Sequence, residues 1–382
     1  MSLRRLSGDP AQADRWCARL QEGWAASPPR RPRLLLLLAG TDTAAVPGIS
    51  AAGATPAARQ RTAAADAELL LLGPSQPRPH ALPPLPAGVS PALIAHVVVQ
   101  ALGLEPLVID LGVPLAPAVP HLSLGQAPAR CLSGGAAMEP ERVQCLLRLG
   151  RRWGERLAAE GAPLLVAECV PGGTTTAQAV LQGLGVEAAG LVSGSLRQPA
   201  HALKRQLVER GLAAAGLGAA GLGAGEAASP EALLAAVGDP MQALAAGLLQ
   251  GAAQAELPLL LAGGSQMAAV LAVALALTPS ERRPQLCAQA AIGTTAWVAG
   301  ETSSDLGLLL ERMGQRWGQS PLAFASALRF EGCAAPELLA YEQGYVKEGV
   351  GAGGLALLWE LSGRSPQELA QACDRACAGL RS

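Results

Sequence analysis

One pattern recurs along this chain: a short apolar run breaks into glycine and opens a helix. It is fullest at Leu164-Leu165-Val166-Ala167-Glu168-Cys169-Val170-Pro171-Gly172-Gly173-Thr174-Thr175-Thr176-Ala177, which an Ala/Leu-rich helical segment follows as far as Leu184. Strand, tight turn and helix N-terminus in that order make an anion site. The turn aims backbone N–H groups outward, and the helix's unpaired N–H groups and dipole favour negative charge. Threonine hydroxyls can cap the helix or donate to phosphate oxygens. No Lys-Ser/Thr follows the glycines, so this is not a Walker A loop. A capped turn without a ligand is the competing reading. Glu168 favours a ligand, because it stands at the carboxyl end of the strand, where open α/β sheets hold theirs.

The pattern returns at Pro258-Leu259-Leu260-Leu261-Ala262-Gly263-Gly264-Ser265-Gln266-Met267. Two such turns make phosphate or sugar binding at the sheet's carboxyl edge more credible than either alone. Residues 34–38 are five leucines that feed Gly40 and a small-residue loop, residues 106–112 form a strand and turn, and residues 290–295 form a weaker strand with a polar end. Between these runs lie helical stretches. Residues 140–159 are amphipathic, Ser90-Pro91-Ala92 starts a helix that carries His96, and Asp239-Pro240 caps another. His96 on its apolar face reads as a satisfied core histidine, and Trp16 and Trp24 as packing residues. Residues 1–32 are expected to be a helical preface with a break at Pro28-Pro29, residues 74–86 a proline-rich linker, and residues 212–228 a low-complexity surface insertion. The alternation predicts one α/β domain over residues 1–382, a doubly wound, mostly parallel sheet flanked by helices.

Composition narrows the function. Hydrophobic residues make up 50% of the 382, charged residues only 15%, and the net charge is −1. That suits a large buried core and shows no electrostatic footprint for nucleic acid or an anionic membrane. The eight cysteines form no Cys-x-x-Cys pair, and Cys373 and Cys377, one turn apart, read as a helix face, so neither metal nor cofactor is expected. The leucine run is far too short to span a bilayer, and the first residues lack a signal sequence's apolar stretch. A soluble cytoplasmic protein with buried, reduced thiols is expected.

The last distinctive stretch is Tyr345-Val346-Lys347-Glu348-Gly349-Val350-Gly351-Ala352-Gly353-Gly354. Four glycines around a carboxylate raise the chain-entropy cost of folding, which packing alone does not justify. A solvated glutamate on a flexible loop is one reading. The functional one is a carboxylate beside a closely packed ligand, able to accept a proton.

Together, Glu168-x-x-x-Gly172-Gly173-Thr174-Thr175-Thr176, Gly263-Gly264-Ser265-Gln266-Met267 and Lys347-Glu348-Gly349-x-Gly351-Ala352-Gly353 resemble the motifs of the nicotinate-nucleotide:dimethylbenzimidazole phosphoribosyltransferase family. The resemblance to its divergent cyanobacterial and archaeal branch runs from about residue 34 to residue 358. It takes in Ile49-Ser50-Ala51-Ala52-Gly53 and Gly238-Asp239-Pro240-Met241-Gln242.

That resemblance implies transfer of 5-phosphoribose from nicotinate mononucleotide to a base, dimethylbenzimidazole or adenine, that becomes the lower ligand of a cobamide. The products are nicotinate and an α-riboside 5′-phosphate. By resemblance Glu348 is the general base and Glu168 contacts a ribose hydroxyl. Gly172, Gly173, Thr174 and Thr175 hold the phosphate or ribose, Gly263, Gly264 and Ser265 complete the cradle, and Gly349 and Gly351 of the Glu348 loop also bind substrate. It further implies a homodimer whose smaller helical part comes from the chain ends. The bacterial relatives carry a His-Arg-Ser-x-Glu-Pro-Gly-His segment that shapes the base pocket. The comparable place here, residues 294–305, lacks it, so the accepted base stays open. The alternatives are a silent nucleotide-binding sensor and a related nucleotide hydrolase.

Overall fold

A computed structural model describes residues 3–25, 30–217 and 229–380. Eight strands form one sheet: β1 (Arg4–Ser7), β2 (Arg33–Leu38), β3 (Leu107–Asp110), β4 (Leu122–Ser123), β5 (Leu164–Cys169), β6 (Leu259–Ala262), β7 (Ala290–Thr294) and β8 (Leu322–Ala325). Their order is β1-β8-β7-β6-β5-β2-β3-β4. Every pairing is parallel except that of β1 with β8. This is the doubly wound α/β architecture that the sequence predicts.

The leucine run forms a strand because both of its faces are covered, the condition under which parallel strands read as continuous apolar sequence. Successive side chains alternate between two cores. Leu35 and Leu37 join Val166, Leu261 and Ile292 in one, and Leu34, Leu36 and Leu38 join Leu165, Leu260 and Ala291 in the other. Helices Pro140–Ala159, Gly173–Gly183, Pro240–Ala252, Ser265–Leu277 and Leu306–Trp317 cover the first face. Helices Pro10–Ala25, Pro56–Leu72, Ala92–Leu102, Ala352–Leu361 and Pro366–Ala378 cover the second. Both chain ends therefore supply helices to one face.

Helices Pro140–Ala159 and Pro240–Ala252 cross at small residues, in a close approach that only glycine permits. A methyl group at Gly150 would overlap the carbonyl of Leu244, and one at Gly247 the carbonyl of Leu147.

The N-terminal preface is helical over Pro10–Ala25, but strand β1 precedes that helix. Its Arg-Arg-Leu-Ser sequence carries no strand signal, and pairing with β8 alone imposes the conformation. Trp16 is a packing residue as expected, 5.6 Å from the ring of Phe324, with its indole N–H donating to Gln289 O at 2.7 Å. The ring of His96 is satisfied by Leu70 O at 2.9 Å. Cys373 and Cys377 lie on the buried face of the last helix. Of the expected insertion, residues 212–217 complete the helix His201–Ala214 and its turn, while residues 218–228 lie outside the described residues, as does Pro28-Pro29. No helix among the described residues is long and apolar enough to cross a membrane.

Candidate active site

From β2 the chain runs outward through β3 and β4, then returns to run through β5, β6, β7 and β8 on the other side. The connections beyond β2 and β5 therefore diverge, which is where doubly wound sheets bind ligands. A pocket of about 340 Å³ sits there, lined by the loops that follow β2, β5 and β6. Its volume suits a small-molecule site. Part of the lining is polar: Ser50, Thr174, Ser193, Ser195 and Ser265. Ser195 Oγ lies 3.1 Å from Ser50 Oγ and accepts from Ala51 N at 2.9 Å, and Ser265 Oγ accepts from Ser193 N at 3.1 Å. Another part is apolar: Leu82, Pro83 and Leu85 from the stretch expected as a linker, and Val89 beyond it. Buried Glu68 pins that stretch, accepting from His80 N and from Ala118 N at 2.9 Å each.

Glu348 reaches this pocket from the glycine-rich loop. Its Oε1 accepts from Gly349 N at 3.1 Å and Gly353 N at 3.0 Å, and its Oε2 from Thr294 Oγ1 and Thr295 N at 3.0 Å each. Gly353 lies in the first turn of helix Ala352–Leu361, so the carboxylate also meets the positive end of that helix dipole. Burial acts the other way and is the larger effect, so the Glu348 pKa is pushed up to about 7.

The loop holds Val346 at φ 66°, Lys347 at φ 67° and Val350 at φ 53°. Non-glycine residues in the left-handed region cost about 1–3 kcal/mol each and persist only where the surroundings over-determine them. Here they do. Val350 N donates to Glu168 O at 2.9 Å, Thr295 Oγ1 to Lys347 O at 2.6 Å, and the buried Lys347 ammonium to Glu301 Oε1 at 2.6 Å and Leu196 O at 2.8 Å.

Glu168, at the end of β5, is 3% exposed and accepts from Val170 N at 3.0 Å. Burial, and then the charge of Glu348, push its pKa up to about 8. Two carboxyl groups that repel across one apolar pocket titrate as a pair, and together they hold a proton near neutral pH.

A family profile described as phosphoribosyltransferase matches residues 92–291, more than half of the chain. A UPF0284 protein of Parasynechococcus marenigrum is 54% identical over 351 residues, covering 90% of this chain and 86% of that protein. One of Prochlorococcus marinus (strain MIT 9313) is 49% identical, covering 90% and 85%. The chain belongs to this phosphoribosyltransferase family. Its cyanobacterial relatives fit the divergent branch that the motifs resemble. The fold agrees with the solved structure of CobT from Thermus thermophilus at a TM-score of 0.57, with 20% identity over 97% of this chain and 92% of that one. A nicotinate-nucleotide-dimethylbenzimidazole phosphoribosyltransferase structure from the same organism gives 0.56, again at 20% identity, over 98% and 94%.

Of the residues that the family motifs singled out, Glu348, Glu168, Gly172, Thr174, Gly264, Ser265 and Gly349 line the pocket. Gly173, Thr175, Gly263 and Gly351 stand behind it. Gly172 caps helix Gly173–Gly183 at φ 81°. A Cβ at Gly173 would meet the side-chain amide of Gln266, and Thr175 is fully buried. The third threonine, Thr176, donates to Asp239 Oδ2 at 2.6 Å, which ties the turn to helix Pro240–Ala252, capped by Asp239.

Sequence reasoning missed several pocket groups. In the sequence, Asp66 and Ser90 read as helix residues, and Ser193 and Ser195 as a plain loop. Lys204, fully buried, donates to Ser193 O at 2.6 Å, and burial lowers its pKa to about 7. For Asp66 the available signal was an acid flanked by alanines, Ala63-Ala64-Ala65-Asp66-Ala67, whereas Lys204 stands beside Arg205 in a polar helix and carried none. A buried charge of that kind is rarely idle.

Proposed function

We propose that the chain transfers 5-phosphoribose from nicotinate mononucleotide to a ring nitrogen of a cobamide lower-ligand base, dimethylbenzimidazole or adenine. The observation that carries this reading is Glu348, a carboxylate poised near neutral pH at the pocket and held there by a strained, over-determined loop.

The C1′–N bond to nicotinate breaks with its electron pair going to the pyridine nitrogen, whose positive charge is thereby lost. Positive charge builds on the ribose ring in the transition state, and the negative charge of the Glu168–Glu348 pair stabilises it. The base nitrogen's lone pair forms the new C1′–N bond, and Glu348 takes the proton that the base gives up. Of the four donors to Glu348, three are backbone N–H groups fixed in place. The Thr294 hydroxyl alone can rotate, so Oε2 can take a proton once that hydroxyl turns from donor to acceptor. Gly172 and Thr174, at the N-terminus of helix Gly173–Gly183, suit the 5′-phosphate.

Product analysis tests the reaction. Incubation with nicotinate mononucleotide and either base should release nicotinate and give an α-linked riboside 5′-phosphate in equal amount. Free ribose 5-phosphate would mean hydrolysis instead. Nucleotide binding without product would mean a sensor.

A further inference from the structure

Asp66 is an ionisable group of the pocket to which phosphate, ribose and proton transfer give no task. It projects from helix Pro56–Leu72, is 4% exposed, and lines the pocket. Its Oδ1 accepts from Ser90 Oγ at 2.6 Å, whereas among the described residues its Oδ2 meets only the thiol of Cys169 at 3.4 Å. A thiol is a weak donor, and a buried carboxylate oxygen without a strong one is costly. Leu82, Leu85 and Val89 give the same pocket an apolar wall, where a flat heterocycle is better placed than a phosphate, and Ser90, which donates to Asp66, directly follows Val89. Pro91, next to Ser90, packs on Gly349, next to Glu348, so Asp66 and the proton acceptor border the same part of the pocket.

We infer that Asp66 selects the acceptor base. Its Oδ2 takes a hydrogen bond from an amino group on the ring, so an aminopurine such as adenine is preferred to dimethylbenzimidazole. This rests on the transferase reading above. A ring edge carrying methyl groups would leave the carboxylate unpaired. Rejection by an unsatisfied buried polar group is much stronger than rejection by an apolar surface. Burial raises the Asp66 pKa to about 6, so at pH 7.5 it is an ionised acceptor.

The test measures kcat/KM at pH 7.5 with nicotinate mononucleotide and three bases: adenine, unsubstituted purine and dimethylbenzimidazole. Wild-type protein should favour adenine over purine, the same ring without the amino group, by about 10- to 100-fold. Asp66→Asn keeps the shape but removes the charge from the acceptor, and should cut that ratio sharply in protein that still melts cooperatively. Equal use of adenine and purine by the wild type, or an unchanged ratio in folded Asp66→Asn, overturns the assignment. Should the wild type release no nicotinate with any base, the transferase reading fails by itself. Calorimetric binding then decides for Asp66. Tighter adenine than purine binding, lost in Asp66→Asn, supports it, and equal binding ends it.

Discussion

A carboxylate that accepts four hydrogen bonds would titrate below its usual range in water, yet burial pushes Glu348 up to about 7. Those donors keep it from rising further, so their removal should show in the pH profile. As the base, Glu348 must be ionised, and kcat/KM falls as pH drops through its pKa. Thr294→Val deletes one donor to the charged form, which raises the pKa and moves the acidic limb upward by about one unit. A limb that stays in place in folded Thr294→Val would assign it to another group. Glu348 was legible in the sequence because a carboxylate among four glycines stands out, although Gly351, Gly353 and Gly354 also serve close packing against Ala167, Thr294 and Ala262. Its partners were not, since Thr294, Thr295 and Gly353 converge on it from separate elements. Asp66 was hidden for a related reason. It looks like one polar residue on a helix, and only the fold brings Cys169 and Ser90 against it.

Among the elements, the central strands were the most legible. An unbroken apolar run with glycine after it means a buried parallel strand, as β2, β5 and β6 are. The edges were least legible. β1 is four residues with two arginines, and β4 is two residues long, so pairing rather than composition makes them strands. Residues 74–86 read as a linker because proline sets their local shape, but their role as a pocket wall depends on Glu68, which reaches them from a helix. Helix packing gives a sharp prediction at this scale. Gly150→Ala places a methyl group on the Leu244 carbonyl across the helix crossing. Alanine's better helix propensity, about 1 kcal/mol, does not offset the overlap. Net destabilisation of about 1–3 kcal/mol is expected in urea unfolding. A variant as stable as wild type would mean that the two helices separate freely.

For the whole molecule, the buried carboxyl groups set an unusual dependence of stability on pH. Burial raises Glu168 to about 8, Glu348 and Glu360 to about 7, and Asp66 and Asp239 to about 6. In the unfolded chain these groups titrate near 4, so between about pH 4 and pH 8 the folded state binds more protons. Their stabilising contribution is complete at the acid end of that window and is lost as pH rises through each folded pKa. The ligand-free protein should melt at least about 2 °C lower at pH 7.5 than at pH 5.5. A melting temperature that rises over that interval would show that these carboxyl groups are solvated.

The central claim is that Glu348 is the base of a phosphoribosyl transfer, and one comparison addresses it most directly. Glu348→Gln keeps the size of the side chain but removes its charge and cannot take the proton. Its kcat/KM for α-riboside phosphate formation should fall by about 10²- to 10⁴-fold, while calorimetry shows nicotinate mononucleotide bound as tightly as by the wild type. Normal turnover by the folded variant would contradict the account.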